Sequence, residues 1–349
     1  MYSSDPYEKL RRLPDPGPAS SRCRQARREV TQLVSLACNP VPSGAFCGML
    51  PSRDGVALRF ARWQATRAPY RGTVCLFPGR GEYLEKYFEV VADLRRRGFA
   101  VAALDWRCQG GSTRALDNRR KGHVTNFAQY DHDLLRFMKD VVLPDCRPPF
   151  IALGHSMGGA ILLRNATQPG TWFQRIVLTA PMLAFADARV VVPQPLARLY
   201  AEALGAIGLG RLYVVGGSDA PEETAAFEGN RLTSDRERFR RNRLVLQHAP
   251  ELALGSPTVG WLRAAYRATR KLAHPEYPKR MQVPILMFAA GEDRVVSSRA
   301  TEEFAARLKL GTSVLIPRSR HEILQERDEV RQQFWAAFDA YFGVSTAAA

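Results

Sequence analysis

Residues 154–159 read Gly154-His155-Ser156-Met157-Gly158-Gly159. A serine with glycine two places before it and two after it fits a tight, strained turn, where larger flanking side chains would collide with the adjoining strand and helix. Such a turn projects Ser156 Oγ clear of the backbone and makes it a candidate nucleophile. A hydroxyl attacks poorly until a base takes its proton, so this chemistry requires a histidine and an orienting carboxylate later in the chain. Asp293, in Ala290-Gly291-Glu292-Asp293, and His321 supply both, in the order serine, acid, histidine. Acyl transfer also places negative charge on the carbonyl oxygen, which backbone N–H groups must receive. The candidate donors are the amide of Met157, directly after the serine, and that of Arg80 in Pro78-Gly79-Arg80-Gly81-Glu82.

Each assignment has competitors. Glu292 competes with Asp293, and His123, His132, His155, His248 and His274 compete with His321. Only His321 follows both the acid and a late apolar run. His155 shares the turn with the serine and is expected to pack, while His248 and His274 fall outside the alternating part of the chain.

Residues so far apart need a scaffold that gathers loops at one edge. Short apolar runs alternate with helical patterns: Val56–Trp63, Thr73–Phe77, a helix over Leu84–Arg97, Ala100–Trp106, a helix over Phe127–Val142, Phe150–Gly154, a helix over Gly158–Ala166, then Ile176–Thr179. The alternation breaks over 183–280 and resumes with Pro284–Ala290, a helix over Ser298–Leu308, Ser313–Ile316 and a closing helix over Glu329–Phe342. Strand and helix in turn predict an α/β fold, a mostly parallel central sheet flanked by helices. Its loops at the carboxyl ends of the strands carry the site. The expected division is a loose Pro-rich leader over 1–45, a core over 46–182 and 281–349, and a helical cap insertion over 183–280. Within the insertion, Leu196, Leu199, Tyr200, Ala203, Leu204 and Ile207 fall at helical spacing. They suit either core packing or an acyl chain.

The chain has 349 residues, 46% hydrophobic and 24% charged, with a formal charge of +16. This excludes a disordered, collagenous or disulfide-scaffold protein. No apolar run reaches the roughly 18 residues that span a bilayer. The six cysteines lie in the first half without a CxxC pair and read as reduced thiols of a cytoplasmic protein. The densest basic cluster, Arg236, Arg238, Arg240, Arg241 and Arg243, has no nucleic-acid-binding signature around it, so no nucleic-acid partner is expected. It suits a solvated face or peripheral contact with an anionic membrane surface, the inner face for a cytoplasmic protein. No metal-ligand spacing or cofactor fingerprint accompanies the serine, so neither a metal nor a cofactor is expected. Oligomeric state is left open by the sequence.

Gly154–Gly159 together with Gly79-Arg80-Gly81-Glu82 resembles the α/β-hydrolase family of monoacylglycerol lipases and bacterial lysophospholipases. Asp105-Trp106-Arg107-Cys108-Gln109-Gly110-Gly111-Ser112 resembles that family's Asp-x-Arg-Gly-x-Gly-x-Ser loop, and Gly122-His123-Val124 with Phe127, Tyr130 and Asp133 its following segment. Asn230–Asp235, Pro257–Trp261 and His321–Arg327 are similar to the bacterial lysophospholipase branch. Over about residues 50–345 the resemblance implies Ser156 as nucleophile, Asp293 as orienting acid, His321 as base, and the Arg80 and Met157 amides as oxyanion donors. It departs at Pro78, where many members have histidine, and at Cys108, where glycine is usual. The expected activity is cleavage of lipid carboxylic esters, foremost by a lysophospholipase releasing free fatty acid. Monoacylglycerol lipase or general carboxylesterase is the alternative. Acyltransferase, proline-type aminopeptidase and noncatalytic binding protein stand behind them.

Overall fold

The computed structural model describes residues 32–51, 54–168, 170–186 and 193–344. The strands are β1 (Phe46–Pro51), β2 (Ala57–Trp63), β3 (Gly72–Phe77), β4 (Phe99–Leu104), β5 (Phe150–His155), β6 (Phe173–Thr179), β7 (Ile285–Ala290) and β8 (Gly311–Ile316). They form one eight-stranded sheet in the order β1-β2-β4-β3-β5-β6-β7-β8. The β1–β2 and β2–β4 pairs are antiparallel and every later pair is parallel. This is the α/β-hydrolase architecture that the resemblance implies. The central strands β3, β4, β5 and β7 are buried throughout, as continuous apolar runs covered on both faces must be.

Strand alternation divides the core. Cys75, Phe77, Ala102, Leu104, Ala152 and Leu178 face one side, while Val74, Leu76, Val101, Ala103, Ile151 and Leu153 face the other. Helices α1 (Phe88–Arg96) and α9 (Asp328–Phe342) cover the second face. The first is covered by α2 (Ala128–Phe137), α4 (Met157–Asn165) and α8 (Ser298–Ala305), with the short α3 (Leu143–Asp145) beyond α2. Fully burying a Phe or Leu side chain contributes about 1.5–3 kcal/mol, which makes Phe137, Leu134, Phe334 and Phe338 principal anchors of these helices. Gly343, with φ +59°, ends α9 in the left-handed conformation that glycine tolerates.

Between β6 and β7 lie α5 (Gln194–Ala206), α6 (Arg236–His248) and α7 (Val259–Leu272). Asp235 caps α6 by accepting from the Arg238 amide at 2.8 Å, and Thr258 caps α7 by accepting from the Trp261 amide at 3.2 Å. The apolar face of α7, with Trp261, Ala264, Ala265, Ala268 and Leu272, joins the core cluster of the sheet. The α5 stripe does the opposite: Leu196, Leu199 and Ile207 are exposed, and Ala201 is the buried residue of that helix.

Local boundaries differ from the sequence expectation where packing overrides periodicity. The first turn of the expected 84–97 helix is a 3₁₀ turn at Leu84–Tyr87, and the 127–142 helix passes into a π-helical turn at Met138–Val142. Strand β1 has no clear apolar alternation because Gly48 and Pro51 interrupt it, and its place comes from antiparallel pairing with β2. Residues 1–31 of the expected leader lie outside the described residues. Its described part is fastened: the Val34 amide donates to Glu85 Oε1 at 3.1 Å, and Asn39 Nδ2 to the Glu85 carbonyl at 2.9 Å. Cys38, Cys47, Cys75, Cys108 and Cys146 are free thiols. No described helix is long and apolar enough to cross a membrane.

Candidate active site

Ser156 stands between β5 and α4 with φ +48° and ψ −112°. Holding a serine in this sparsely populated region costs on the order of 1–3 kcal/mol, so its surroundings must enforce it. They do so through hydrogen bonds from the Ser156 amide to the Thr179 carbonyl at 3.0 Å, and from the Met182 and Ala160 amides to the Ser156 carbonyl at 2.9 and 3.1 Å. The flanking glycines are required by space. A Cβ on Gly154 would sit 2.6 Å from Leu162 Cδ1, and one on Gly158 would sit 2.2 Å from the Phe77 carbonyl oxygen.

His321, after β8, and Asp293, after β7, complete a hydrogen-bonded chain. His321 Nε2 lies 3.0 Å from Ser156 Oγ, and His321 Nδ1 lies 2.7 Å from Asp293 Oδ2. The other Asp293 oxygen, Oδ1, accepts the amides of Val295 and Val296 at 2.7 and 3.0 Å. Burial would raise the Asp293 carboxyl, but the His321 charge and hydrogen bond and these two amides hold it below its ordinary value. A carboxylate accepts at Nδ1, so Nδ1 carries the proton and the Nε2 lone pair faces the serine hydroxyl. This is the tautomer a general base needs. The competing Glu292 is exposed. His155 turns its Nδ1 to the Thr179 carbonyl and hydroxyl, each at 3.1 Å, and its ring packs 4.8 Å from that of His321. Burial pushes the His155 pKa down to about 4, so that ring is neutral and structural.

The loop after β3 lies against this turn. A Cβ on Gly79 would come within 3.2 Å of Ser156 Cβ and 3.0 Å of His155 Cδ2. Its shape is set from outside. The Trp106 indole N–H donates to the Pro78 carbonyl at 2.9 Å, and Gln109 Nε2 to the Gly79 carbonyl at 2.7 Å. The Gly79 amide donates to Glu82 Oε2 and the Gly81 amide to Gln109 Oε1, so both neighbours of Arg80 are engaged by side chains. Met157 is the first residue of α4, where N–H groups have no intrahelical acceptor. The five candidate residues thus lie along one edge of the sheet, on the loops after β3, β5, β7 and β8. Two departures from the family pattern acquire a structural description. The carbonyl of Pro78 is braced by Trp106, and Cys108 occupies the left-handed region at φ +65°, a conformation glycine adopts without strain.

Sequence reasoning passed over a buried charge cluster behind the loop. Lys86 Nζ lies 2.6 Å from Glu322 Oε1, 3.3 Å from Glu223 Oε1 and 3.4 Å from Glu82 Oε1. Glu82 and Glu322 stand in stretches already singled out, but Lys86 sits in an unremarkable Leu84–Tyr87 turn and Glu223 in the insertion. Their meeting has no local signature. Beneath the same loop, Arg59 pairs with Glu85 and Asp105 at 2.7 Å each. Among the described residues, no group of three or more His, Cys, Asp or Glu side chains could hold a metal ion.

The α6 arginines are largely turned into the protein. Arg238 bonds Glu89, Asp235 and Asp328, Arg241 bonds Glu89 and Gln325, and Arg243 donates to the carbonyls of Glu223, Thr224 and Ala225. Arg236 and Arg240 remain 63% and 69% exposed.

The sequence profile of the family described as "Serine aminopeptidase, S33" matches residues 68–328. Lysophospholipase L2 of Escherichia coli strain K12 is 33% identical over 295 residues, covering 80% of this chain and 82% of the relative. The monoglyceride lipase of Rattus norvegicus is 25% identical over 251 residues, covering 72% and 74%. Among solved structures, a soluble variant of the monoglyceride lipase of Saccharomyces cerevisiae with a substrate analogue superposes with a TM-score of 0.69 at 19% identity. That alignment covers 86% of this chain and 97% of the yeast one.

Proposed function

Because this chain belongs to the serine aminopeptidase S33 family of α/β-hydrolases, we propose that it is a lysophospholipase acting through an acyl-enzyme on Ser156. The coarser statement, a serine hydrolase of lipid esters, rests on its relatives of known activity, lysophospholipase L2 and the monoglyceride lipases. The observation that carries the mechanism is the unbroken chain Ser156–His321–Asp293 at 3.0 and 2.7 Å.

His321 Nε2 takes the proton from Ser156 Oγ as the oxygen attacks the acyl carbonyl. Asp293 holds the imidazole and stabilises its charged form, and the Arg80 and Met157 amides receive the developing oxyanion. His321 then returns the proton to the leaving glycerol oxygen. Water, activated by the same histidine, attacks the acyl-enzyme and releases a free fatty acid. No metal or cofactor takes part in these steps.

The choice of lysophospholipid over monoacylglycerol is supported by the higher identity to lysophospholipase L2, 33% against 25%. Peripheral contact with an anionic membrane surface also belongs to this reading. The α6 arginines are mostly engaged internally, so this contact is supported by the exposed Leu196 and Leu199 of α5, Ile207 at its end, and Leu212 and Val215 beyond it. The formal charge of +16 favours approach of the protein as a whole to anionic lipid.

The test is fatty-acid release from lysophosphatidylethanolamine and monoacylglycerol of matched chain length, and turnover of a proline aminopeptidase substrate, with Ser156→Ala alongside. Serine-dependent release chiefly from the lysophospholipid is expected, with Ser156→Ala folded and slower by at least about 10³-fold. Release chiefly from monoacylglycerol overturns the substrate, and full activity in Ser156→Ala overturns the mechanism.

A further inference from the structure

Lys86 has 1% of its side chain exposed, and it faces three carboxylates from three separate parts of the chain. Glu82 belongs to the loop after β3, Glu322 directly follows His321, and Glu223 lies in the insertion between β6 and β7. Burial alone would discharge Lys86, but Glu322, Glu223 and Glu82 reverse that and raise its pKa well above the ordinary value. The lysine is therefore a permanent cation, buried from bulk solvent and paired with carboxylates alone.

Each partner leads to a part of the site. Glu82 uses Oε1 for Lys86 and Oε2 to accept the Gly79 amide and the Tyr87 hydroxyl, so the ammonium orients the carboxylate that shapes the Arg80 loop. Glu322 uses Oε1 for Lys86, while its amide donates to the Leu232 carbonyl at 2.8 Å, fixing the backbone next to His321 against the insertion. The Lys86 carbonyl accepts Gln325 Nε2 at 2.9 Å, a second tie between this turn and the histidine loop. Glu223 adds the insertion itself at 3.3 Å.

We propose that Lys86 is a positioning residue for catalysis, the shared counter-ion that holds the oxyanion loop and the His321 loop in register with each other and with the insertion. This rests on the reading of Ser156, His321 and the Arg80 amide given above. Its physical basis is that donors for an oxyanion act only when fixed in advance, and small displacements of such donors forfeit much of their effect. Without the ammonium, Glu82, Glu223 and Glu322 face one another in a site nearly closed to water. Tyr83, Tyr87 and His155 are the other titratable groups against the cluster, and none of them supplies a positive charge near neutral pH. Repulsion would then part the two loops.

The pH dependence has a definite sign. Burial raises the Glu322 carboxyl to about 7, against the opposing pull of Lys86. Removing Lys86 removes that pull, so protonation of the cluster on the acid side relieves the repulsion. A Lys86→Met variant should thus be most impaired at alkaline pH and recover relative to wild type as pH falls.

The experiment measures kcat and KM for p-nitrophenyl butyrate, a soluble activated ester, from pH 6 to 9 in wild type, Ser156→Ala, Lys86→Met and Lys86→Arg. The expected result for Lys86→Met is a kcat lower by about 100-fold at pH 9, the size of effect seen when an oxyanion donor is lost. KM should stay within about threefold, the deficit should shrink several-fold by pH 6, and Lys86→Arg should recover most of kcat. A folded Lys86→Met protein with wild-type kcat, or a deficit independent of pH, overturns the proposal while leaving the Ser156 mechanism standing. Equal activity in wild type and Ser156→Ala overturns that mechanism, and this inference with it. If Lys86→Met does not fold, Lys86→Gln, which keeps a hydrogen-bond donor but no charge and leaves all three carboxylates in place, carries the same comparison: wild-type kcat in the folded Lys86→Gln variant overturns the proposal.

Discussion

Helices α5 and α6 lie in the same insertion and each runs for 13 residues, yet their relation to solvent reverses what their compositions suggest. The α5 helix is rich in Leu and Ala and turns Leu196 and Leu199 into water, with exposures of 53% and 65%, followed at its end by Ile207 at 70%. The α6 helix carries five arginines and is tied into the protein by most of them. Arg238 alone reaches Glu89, Asp235 and Asp328 at 2.6–2.7 Å. The difference teaches that charge count does not locate a binding surface. An arginine with carboxylates on two neighbouring elements is a fastener, whereas a group of exposed apolar side chains is the candidate for contact with another molecule.

The comparison breaks first at Glu89, which joins Arg238, Arg241 and Arg331 at 2.6–2.7 Å. Glu89→Ala leaves three guanidinium groups without their common partner and is expected to lower stability by about 3 kcal/mol in urea unfolding. A loss below about 1 kcal/mol would show α6 to be a solvated helix after all. The same residue gives a pH signature. Burial would raise Glu89, but Arg238, Arg331 and Arg241 hold it down to about 2, below its ordinary 4.5. Because the folded value is the lower one, this stabilisation is fully present above about pH 4.5 and is lost as pH falls toward 2. Glu89→Gln should therefore flatten the acid limb of the stability profile in that window, measured by urea midpoints from pH 5 to pH 2.

On α5 the expectation is reversed, with little effect on folding and a clear one on lipid. Leu199→Glu/Ile207→Glu should change stability by less than about 0.5 kcal/mol. It should lower binding to anionic vesicles by at least about tenfold, each residue losing a buried-side-chain contribution of roughly 1.5–3 kcal/mol at most. Hydrolysis of a soluble ester should stay unchanged. Unaltered vesicle sedimentation would remove α5 as the lipid-facing element. The smallest effect belongs to Arg240→Gln, which removes an exposed charge whose contact with Glu237 is 3.8 Å long. Stability should be unaffected, and vesicle binding should weaken by about 1 kcal/mol or less. A larger loss than that from the α5 double variant would move the proposed membrane contact to α6.

Legibility in the sequence followed how local the cause is. The turn at Ser156 could be read because Gly154 and Gly158 are demanded by contacts within the strand–turn–helix unit and the loop that abuts it. Asp293 and His321 could be read because chain order and strand ends limit the choices, and the structure brings both to Ser156. Trp106 and Gln109 stand in the Asp105–Ser112 stretch that resembles the family loop, but their work of bracing the Pro78 and Gly79 carbonyls has no signal of its own. Strand β1 was missed because an edge strand needs little apolar alternation when its neighbour supplies the pairing.

What the sequence determined by itself is the set of candidate reacting groups and the order of elements that carries them. Both follow from backbone sterics at glycines, from apolar periodicity and from the chemical needs of a serine nucleophile. The tertiary structure decided what depends on partners far along the chain. Lys86 meets Glu223 and Glu322 across 137 and 236 residues, and Arg238 meets Glu89 across 149. Charge pairing acts through space and leaves no periodic trace, so only the folded chain reveals which ionic residues are buried fasteners and which apolar ones are left in water.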